Sequence, residues 1–334
     1  MLDKYISLEY GSGGTKTSAL IEELLLPNFS NEALSQLGDG AVLSGAQDIV
    51  FSTDSFVISP YMFPGGDVGK LAVCGTVNDV AMAGGEPRYL SLSAIIEEGF
   101  PTDDLEVIVR SAAKAARDAG CQIVTGDTKV VEKGKGDGIY LNTSGIGILR
   151  CPGLSPDNIR EGDRVLVSGT IADHGTAIML ERNKNLLKGA IESDCAPLNR
   201  LAAKLYSLKG SLKVLRDPTR GGLATTLCEF AQGRDFSIEL EEESIPLNKT
   251  VKSACDILGL DPLYMANEGK LVAVVSAEAE QEALELMRSL SEGAQAAAVG
   301  TVRSSDPGRV YIRTKTGGLR LLAKITGTQL PRIC

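Results

Sequence analysis

Segments of strand and helix character alternate along most of this chain, and that alternation confines it to a layered architecture in which helices cover sheets. In the first half, "AVLSG", "DIVFSTDSFVIS", "RYLSLSAII" and "GIYLNTSGIGIL" alternate apolar with polar residues or are β-branched, and turn residues bound them. Two helical stretches lie between them. "DVGKLAVCGTVNDVAMAGG" is apolar at helical spacing and closed by glycines. "TDDLEVIVRSAAKAARDAG" places Thr102 as N-cap, acids in the first turn and Gly120 as terminator. The segment "RCPGLSPDNIREGD" (150–163) is rich in Pro, Gly and polar residues and reads as a link. Beyond it "RVLVSGT" is a strand, "DHGTAIMLER" a helix, "KVLRDPTRGGLATTLCEFAQG" a strand, loop and helix, and "GKLVAVVS" with "QEALELMRSL" continues the alternation. The expected fold is therefore α/β (α+β) in two domains, 1–150 and 151–325, and 334 residues are enough for two cores. The last residues, 326–334, carry no periodicity and read as a mobile tail.

Several function classes are excluded by composition. The net charge is −9 and no basic run stands out, so no nucleic-acid surface is expected. No apolar run approaches the roughly 18 residues a membrane span needs. The start "MLDKYISLEYGSGG" lacks a signal peptide's basic and apolar regions, and a cytoplasmic location is expected. The seven cysteines, Cys74, Cys121, Cys151, Cys195, Cys228, Cys255 and Cys334, are odd in number, widely spaced and without a CxxC. Neither a disulfide framework nor a thiolate zinc site fits them. Cys74, Cys121 and Cys228 sit in apolar or small-residue segments as small hydrophobes. His174 is the single histidine, which rules out a His-rich metal cage; it reads as a helix-start or interface residue. The chain closes on "PRIC", and an exposed terminal thiol adds nothing to a core, so Cys334 is either accidental or a working group.

Five aspartates are read as turn residues beside strands or small-residue helices: Asp39 in "LGDGAVL", Asp54 in "FSTDSF", Asp79 in "VNDVAMAGG", Asp127 in "VTGDTK" and Asp217 in "LRDPTRGG". Their Gly, Ser, Thr or Asn neighbours suit hard-cation ligation, and magnesium takes oxygen ligands while bridging to phosphate. Unrelated turns have the same composition, and spacing alone leaves both readings open. The small-residue loop "YGSGGTKT" (10–17) precedes a helix and can cradle phosphate with its backbone N–H groups, although it is not a Walker A motif. In "DPTRGG", Gly221 and Gly222 let the backbone approach a ligand closely.

These motifs together resemble the PurM-like ATP-dependent superfamily and, within it, the HypE family of carbamoyl dehydratases that serve nickel–iron hydrogenase maturation. The resemblance runs over nearly the whole length, through "GSGG" (11–14), 51–91, "VTGDTKVV" (124–131), "DHG" (173–175), "RDPTRGG" (216–222), "ANEGKLV" (266–272) and "PRIC" (331–334). Tyr10 departs from it, since the family commonly has His there. The resemblance implies a PurM-like two-domain fold: a strand-rich N-terminal domain forming a homodimer interface, a C-terminal α/β domain and a flexible tail. It implies that Cys334 carries a carbamoyl group loaded by a HypF-type carbamoyltransferase. ATP then drives its dehydration to a thiocyanate, and the cyanide passes to a HypC–HypD-type iron scaffold.

Carried onto matching positions, the resemblance makes Gly11, Ser12, Gly13, Gly14, Asn78, Asp127, Thr128, Arg220, Gly221 and Gly222 nucleotide-binding candidates. Asp39, Asp54, Asp79 and Asp217 become magnesium ligands. Lys129 and Glu268 become proton-handling groups, expected within reach of each other and of the docked tail; their plain alternative is a salt bridge. The nine residues 326–334 can span at most about 30 Å, enough to enter a site and swing out to a partner. Arg332 and Ile333 are expected to guide that docking, one by charge and one through an apolar pocket. Another PurM-like enzyme, of selenophosphate synthetase, thiamine-phosphate kinase or aminoimidazole ribonucleotide synthetase type, would share the fold and the metal–ATP logic without needing a terminal cysteine. A non-catalytic scaffold would have no use for the acidic cluster.

Overall fold

The computed structural model of the chain describes residues 14–20, 22–23, 41–43, 47–183, 190–325, 330 and 332–334. Gly11, Ser12, Gly13 and Asp39 lie outside the described residues. The first domain holds the short helix α1 (Thr15–Leu20) and the strands β1 (Ala41–Leu43), β2 (Ile49–Phe56), β3 (Met62–Phe63) and β4 (Gly66–Asp67). Helix α2 (Val68–Met82), β5 (Gly85–Glu97), helix α3 (Thr102–Ala119), β6 (Gln122–Val131) and β7 (Ile139–Leu149) follow. Five strands form one sheet in the order β1-β2-β7-β5-β6, and β3 pairs β4 in a separate hairpin. Only the β5–β6 pairing in that sheet is parallel, and α3 supplies its crossover.

Burial along β7 alternates from Ile139 to Gly147, so one face of the sheet is covered. The cover is α2. Thirteen of its fifteen residues are buried, so it is sandwiched between the first sheet on one side and the second domain on the other. A helix in that position needs small apolar residues on every face, which "GKLAVCGTVNDVAMA" supplies. Asp67 caps it, its carboxylate accepting from the N–H groups of Gly69 (2.7 Å) and Lys70 (3.1 Å). The outer face of the sheet is uncovered and presents Phe51, Tyr89, Ile95 and Ile146 to solvent.

The second domain has a seven-stranded sheet. In chain order it contains β8 (Arg164–Val167), α4 (Asp173–Arg182), α5 (Asn199–Leu205), β9 (Leu212–Arg216), α6 (Gly222–Ala231), β10 (Ser237–Glu241) and α7 (Lys249–Leu258). β11 (Val272–Val275), α8 (Glu280–Arg288), β12 (Ala297–Arg303), β13 (Val310–Arg313) and β14 (Leu319–Leu322) complete it. The strands run β14-β13-β10-β12-β8-β11-β9. One core packs α6 against this sheet. A second packs α5 and α8 on the sheet's opposite face and takes in Ala81 and Met82 at the end of α2. No described helix is long and apolar enough to cross a membrane.

The strands and helices expected from periodicity are present, with local corrections. Thr102 is the first residue of α3 and not its cap; the cap position is Pro101, which offers no side-chain acceptor. Gly120 does terminate α3, in the left-handed conformation with φ 74°. Three of the aspartates read as turn residues lie inside regular elements: Asp54 on β2, Asp79 on α2 and Asp127 on β6. Asp217 does sit in a loop.

The α2–α3 crossing is close enough to give a direct test. A Cβ built on Gly69 would lie 2.2 Å from the carbonyl oxygen of Ile108 on α3, and backbone cannot rotate away. Gly69→Ala is expected to cost about 1–3 kcal/mol, as overpacked sites do. Thermal unfolding of the variant measures it, and an unchanged melting temperature would refute the tight crossing.

Candidate active site

The loop between β9 and α6 carries Asp217, Pro218, Thr219, Arg220 and Gly221. Gly221 and Gly222 both have positive φ, at 78° and 61°. At Gly222 a Cβ would meet the carbonyl oxygens of Met265 at 2.5 Å and Leu263 at 2.6 Å, so only glycine fits there. The loop thereby lies flat on the turn that leads into 266–269. Asn267 fastens the two together. Its Nδ2 donates to the carbonyl oxygens of Pro218 (2.8 Å) and Met265 (3.1 Å), and its Oδ1 accepts from the Ala172 N–H (2.7 Å) just before α4. The next two N–H groups, of Glu268 and Gly269, donate to the carboxylate of Asp194 at 3.1 and 3.2 Å. Lys270 pairs with the same carboxylate at 3.3 Å.

Residues 330 and 332–334 bring the chain's end into this junction. The Val57 N–H donates to the Cys334 carbonyl oxygen at 3.0 Å, and the Ser59 N–H to that of Arg332 at 3.3 Å. Arg182 on α4 donates through Nη2 to the same Arg332 oxygen (2.7 Å) and through Nε to Ser59 O (2.7 Å). Between them, His174 Nε2 meets the Ile333 carbonyl oxygen at 2.8 Å. The Arg332 side chain donates to Val57 O (2.8 Å), pairs with Asp137 and lies 5.9 Å above the Tyr140 ring. Ile333 is buried in the core that also holds Phe56, Cys74, Ile178 and Cys195. Arg332 and Ile333 thus guide docking as expected, by charge and by apolar burial. Cys334 itself is 7% exposed and part of that core, which corrects the expectation that its thiol supports none.

The docked thiol sits among charges. Burial pushes it up to about 12; Arg220 opposes the shift, and Glu268, Asp54 and Asp79 add to it. Glu268 is 2% exposed, and its Oε1 has no hydrogen-bond partner among the described residues. Burial, with Asp217, Asp194 and Asp54 nearby, holds its carboxyl well above the usual carboxylate range, and Arg220 again opposes. Asp54 is raised by burial and relieved by Arg220. Asp79 accepts from Ser52 Oγ at 2.8 Å. Arg220 is therefore the cation around which Cys334, Glu268, Asp54 and Asp79 gather, and Cys334 acts on it most strongly.

Other expected site residues fall elsewhere. Asp127, Thr128 and Lys129 lie on β6, exposed along its length, and Lys129 pairs with Asp127 at 2.6 Å. Lys129 is thus held at the exposed edge of the first sheet, whereas Glu268 is buried on the turn 266–269 of the second domain. Asn78 is not a free ligand-binding group. Its Oδ1 accepts from the Leu198 N–H (2.7 Å) and its Nδ2 donates to Ala196 O (3.2 Å), clamping α2 to the second domain. Gly14 is buried, and its carbonyl accepts from the Ser18 N–H within α1. No three His, Cys, Asp or Glu side chains among the described residues stand close enough to hold a metal unaided. Sequence reasoning missed Arg182, Ser193, Asp194 and Asn267. Asn267 stood within the quoted "ANEG"; the others carried no signal, because the partners that place them in the site are distant in the chain. Cys121 and Cys228, pushed up to about 11 by burial, are the inert small hydrophobes expected.

Residues 37–149 match the family of the AIR synthase related protein, N-terminal domain, and residues 160–313 match its C-terminal domain. The chain is 48% identical over 332 residues to the carbamoyl dehydratase HypE of Azotobacter vinelandii, covering 98% of this chain and 97% of that protein. A crystal structure of a HypE–HypF complex contains a chain 49% identical to it, covering 92% of this chain and all of that one, with a TM-score of 0.87. A crystal structure of the hydrogenase maturation protein HypE in complex with ATP is 45% identical over 99% of this chain, with a TM-score of 0.83.

The raised carboxyl of Glu268 fixes a pH signature. A group whose folded-state pKa lies above its ordinary 4.5 stabilises the fold fully below that value and loses the contribution as pH rises through the folded-state value. Glu268→Gln carries no such charge. Its melting temperature relative to the parent is expected to climb from about pH 5 upward and to level off once Glu268 ionises in the fold. A gap that stays constant to about pH 9 would mean that Glu268 is not held protonated.

Proposed function

This chain belongs to the HypE family of carbamoyl dehydratases, and on that premise we propose that it dehydrates a carbamoyl group carried on Cys334 to a protein thiocyanate, using ATP. The observation that carries the assignment of the carrier is the position of the Cys334 thiol: buried, and sharing the Arg220 guanidinium with Glu268, Asp54 and Asp79. The thiocyanate supplies the cyanide ligand of a nickel–iron hydrogenase. The alternative enzymes of the same superfamily give no reason for a cysteine docked at this junction.

The chemistry follows from the groups present. A carbamoyl oxygen is a poor leaving group. ATP transfers its γ-phosphoryl to that oxygen as one proton leaves nitrogen. The C–O bond then breaks, phosphate departs with the electron pair, and the second proton leaves nitrogen as C≡N forms. Both protons need an acceptor at the docked tail. Glu268 is the acceptor on this chain: a carboxyl with raised proton affinity is, once ionised, a stronger base. Arg220, solvent-exposed at the end of its glycine-bounded loop, is placed to meet negative charge on phosphate and carbamoyl oxygens. Gly11, Ser12, Gly13 and Gly14, with Gly221 and Gly222, are assigned to the nucleotide.

Asp54, Asp79 and Asp217 suit magnesium by their oxygen donors and by the excess of negative charge around Glu268, whose Oε1 is unpartnered among the described residues. Because no trio of ligands is assembled among the described residues, the ion fits as a companion of nucleotide phosphates, and Asp39 is assigned to it from the sequence alone. Bound there, magnesium neutralises phosphate charge.

The uncovered, apolar outer face of the first sheet fits a homodimer interface, and β6 at its edge puts Asp127 and Lys129 on that surface. In such a dimer Lys129 serves the site across the interface. A HypF-type carbamoyltransferase loads the thiol, and a HypC–HypD-type scaffold takes the cyanide. Seven unpaired cysteines suit a reducing, cytoplasmic setting.

Two variants test the reading. Cys334→Ala is expected to bind ATP and to yield no thiocyanate; cyanide release from this variant would remove Cys334 as carrier. Glu268→Gln is expected to bind ATP and accept the carbamoyl group, then to dehydrate it roughly 10²–10⁴-fold more slowly, the range for a positioned base. Mass spectrometry of the C-terminal peptide checks both, and conversion at the parent rate would exclude Glu268 as base.

A further inference from the structure

We propose that His174 is the positioning residue of the dehydration step: its imidazole, oriented by Ser193, donates to the Ile333 carbonyl and so fixes the Cys334 thiol beside Arg220 and Glu268. The inference rests on the function proposed above.

The hydrogen bonds determine one tautomer. The Ile333 carbonyl only accepts, so His174 Nε2 carries the hydrogen (2.8 Å). Nδ1 of the neutral ring is then an acceptor, and Ser193 Oγ donates to it at 2.8 Å. Ser193 Oγ in turn accepts the Cys195 N–H at 3.1 Å. A directed relay therefore runs from the Cys195 backbone through Ser193 and His174 to the tail. His174 is fully buried, and burial lowers its proton affinity, which keeps the ring neutral. The edge-on Phe63 ring, 5.5 Å away, holds its plane. What His174 adds is one N–H aimed at the carbonyl adjoining Cys334.

The carrier must alternate between a transferase outside and the site within. A tail held by hydrogen bonds to its backbone oxygens can close and open without covalent change, and in this latch His174 is the side-chain donor next to Cys334. It also leaves a distinguishing mark: weakening it slows the reaction that needs the docked thiol without slowing the loading that needs the free one.

The test uses full-length protein and three variants. His174→Phe keeps a ring and removes the donor; His174→Gln restores an N–H donor; Ser193→Ala removes the group that orients the ring. One arm, without ATP or partner, follows iodoacetamide alkylation of Cys334 by mass spectrometry of the C-terminal peptide. A docked thiol raised to about 12 reacts slowly and an undocked one faster. The other arm follows a single turnover of chain already carbamoylated. For His174→Phe we expect alkylation about 10-fold faster and dehydration about 10-fold slower, the effect of one buried hydrogen bond, with carbamoyl loading no slower than in the parent. His174→Gln should recover most of both rates, and Ser193→Ala should shift both in the Phe direction. Parent-like alkylation and dehydration in His174→Phe would overturn the proposal. So would a Gln variant as impaired as the Phe variant, which would mark a packing role. Failure of every chain, parent included, to form thiocyanate while the alkylation shifts persist would refute the proposed reaction and leave the latch standing.

Discussion

One turn, residues 266–269, holds this structure in register. Asn267 spends its side chain on Pro218, Met265 and Ala172, and the N–H groups of Glu268 and Gly269 both go to Asp194. Those few bonds fix the glycine-bounded loop, the start of α4 and the 194–198 segment relative to one another. The last of these reaches the first domain through Asn78 on α2. Buried backbone donors and acceptors must find partners, so the turn cannot shift without orphaning groups in three other segments at once. The side chain of Glu268 is carried on this rigid support, which is what a group with a carboxyl oxygen uncompensated among the described residues requires.

The layered fold was legible in the sequence because both periodicities were strong where burial was one-sided, as in β7 and α3. Elements such as β10, "SIELE", gave no expectation: two of its five residues are glutamates, and its pairing to β12 and β13 is decided by distant chain. The acidic residues were grouped as turn residues, a reason that fails for several of them. Asp54 and Asp79 are not turn residues; they approach because α2 lies across β2 with Ser52 bridging, a tertiary fact that composition cannot carry.

Lys129 shows the opposite limit. Its motif resembled a catalytic one, yet the strand that bears it is an exposed sheet edge and its carboxylate partner is Asp127, two residues away. Sequence assigns a residue to a strand and a face; it does not say which surface of which copy that face will meet. The bonds that dock the tail were likewise hidden, because they run from side chains such as His174 and Arg182 to backbone oxygens.

Those oxygens have an evolutionary corollary. Successive carbonyls of Arg332, Ile333 and Cys334 are each taken up by a fixed donor, while side-chain specificity is concentrated in the arginine. Docking of this kind reads spacing more than lettering. Over generations the tail can drift by apolar substitution at Ile333, whereas gain or loss of a single codon within 332–334 would put the main-chain oxygens out of step with their donors. Lineages descended from such a chain should record apolar replacements at Ile333 and no change in the spacing of 332–334.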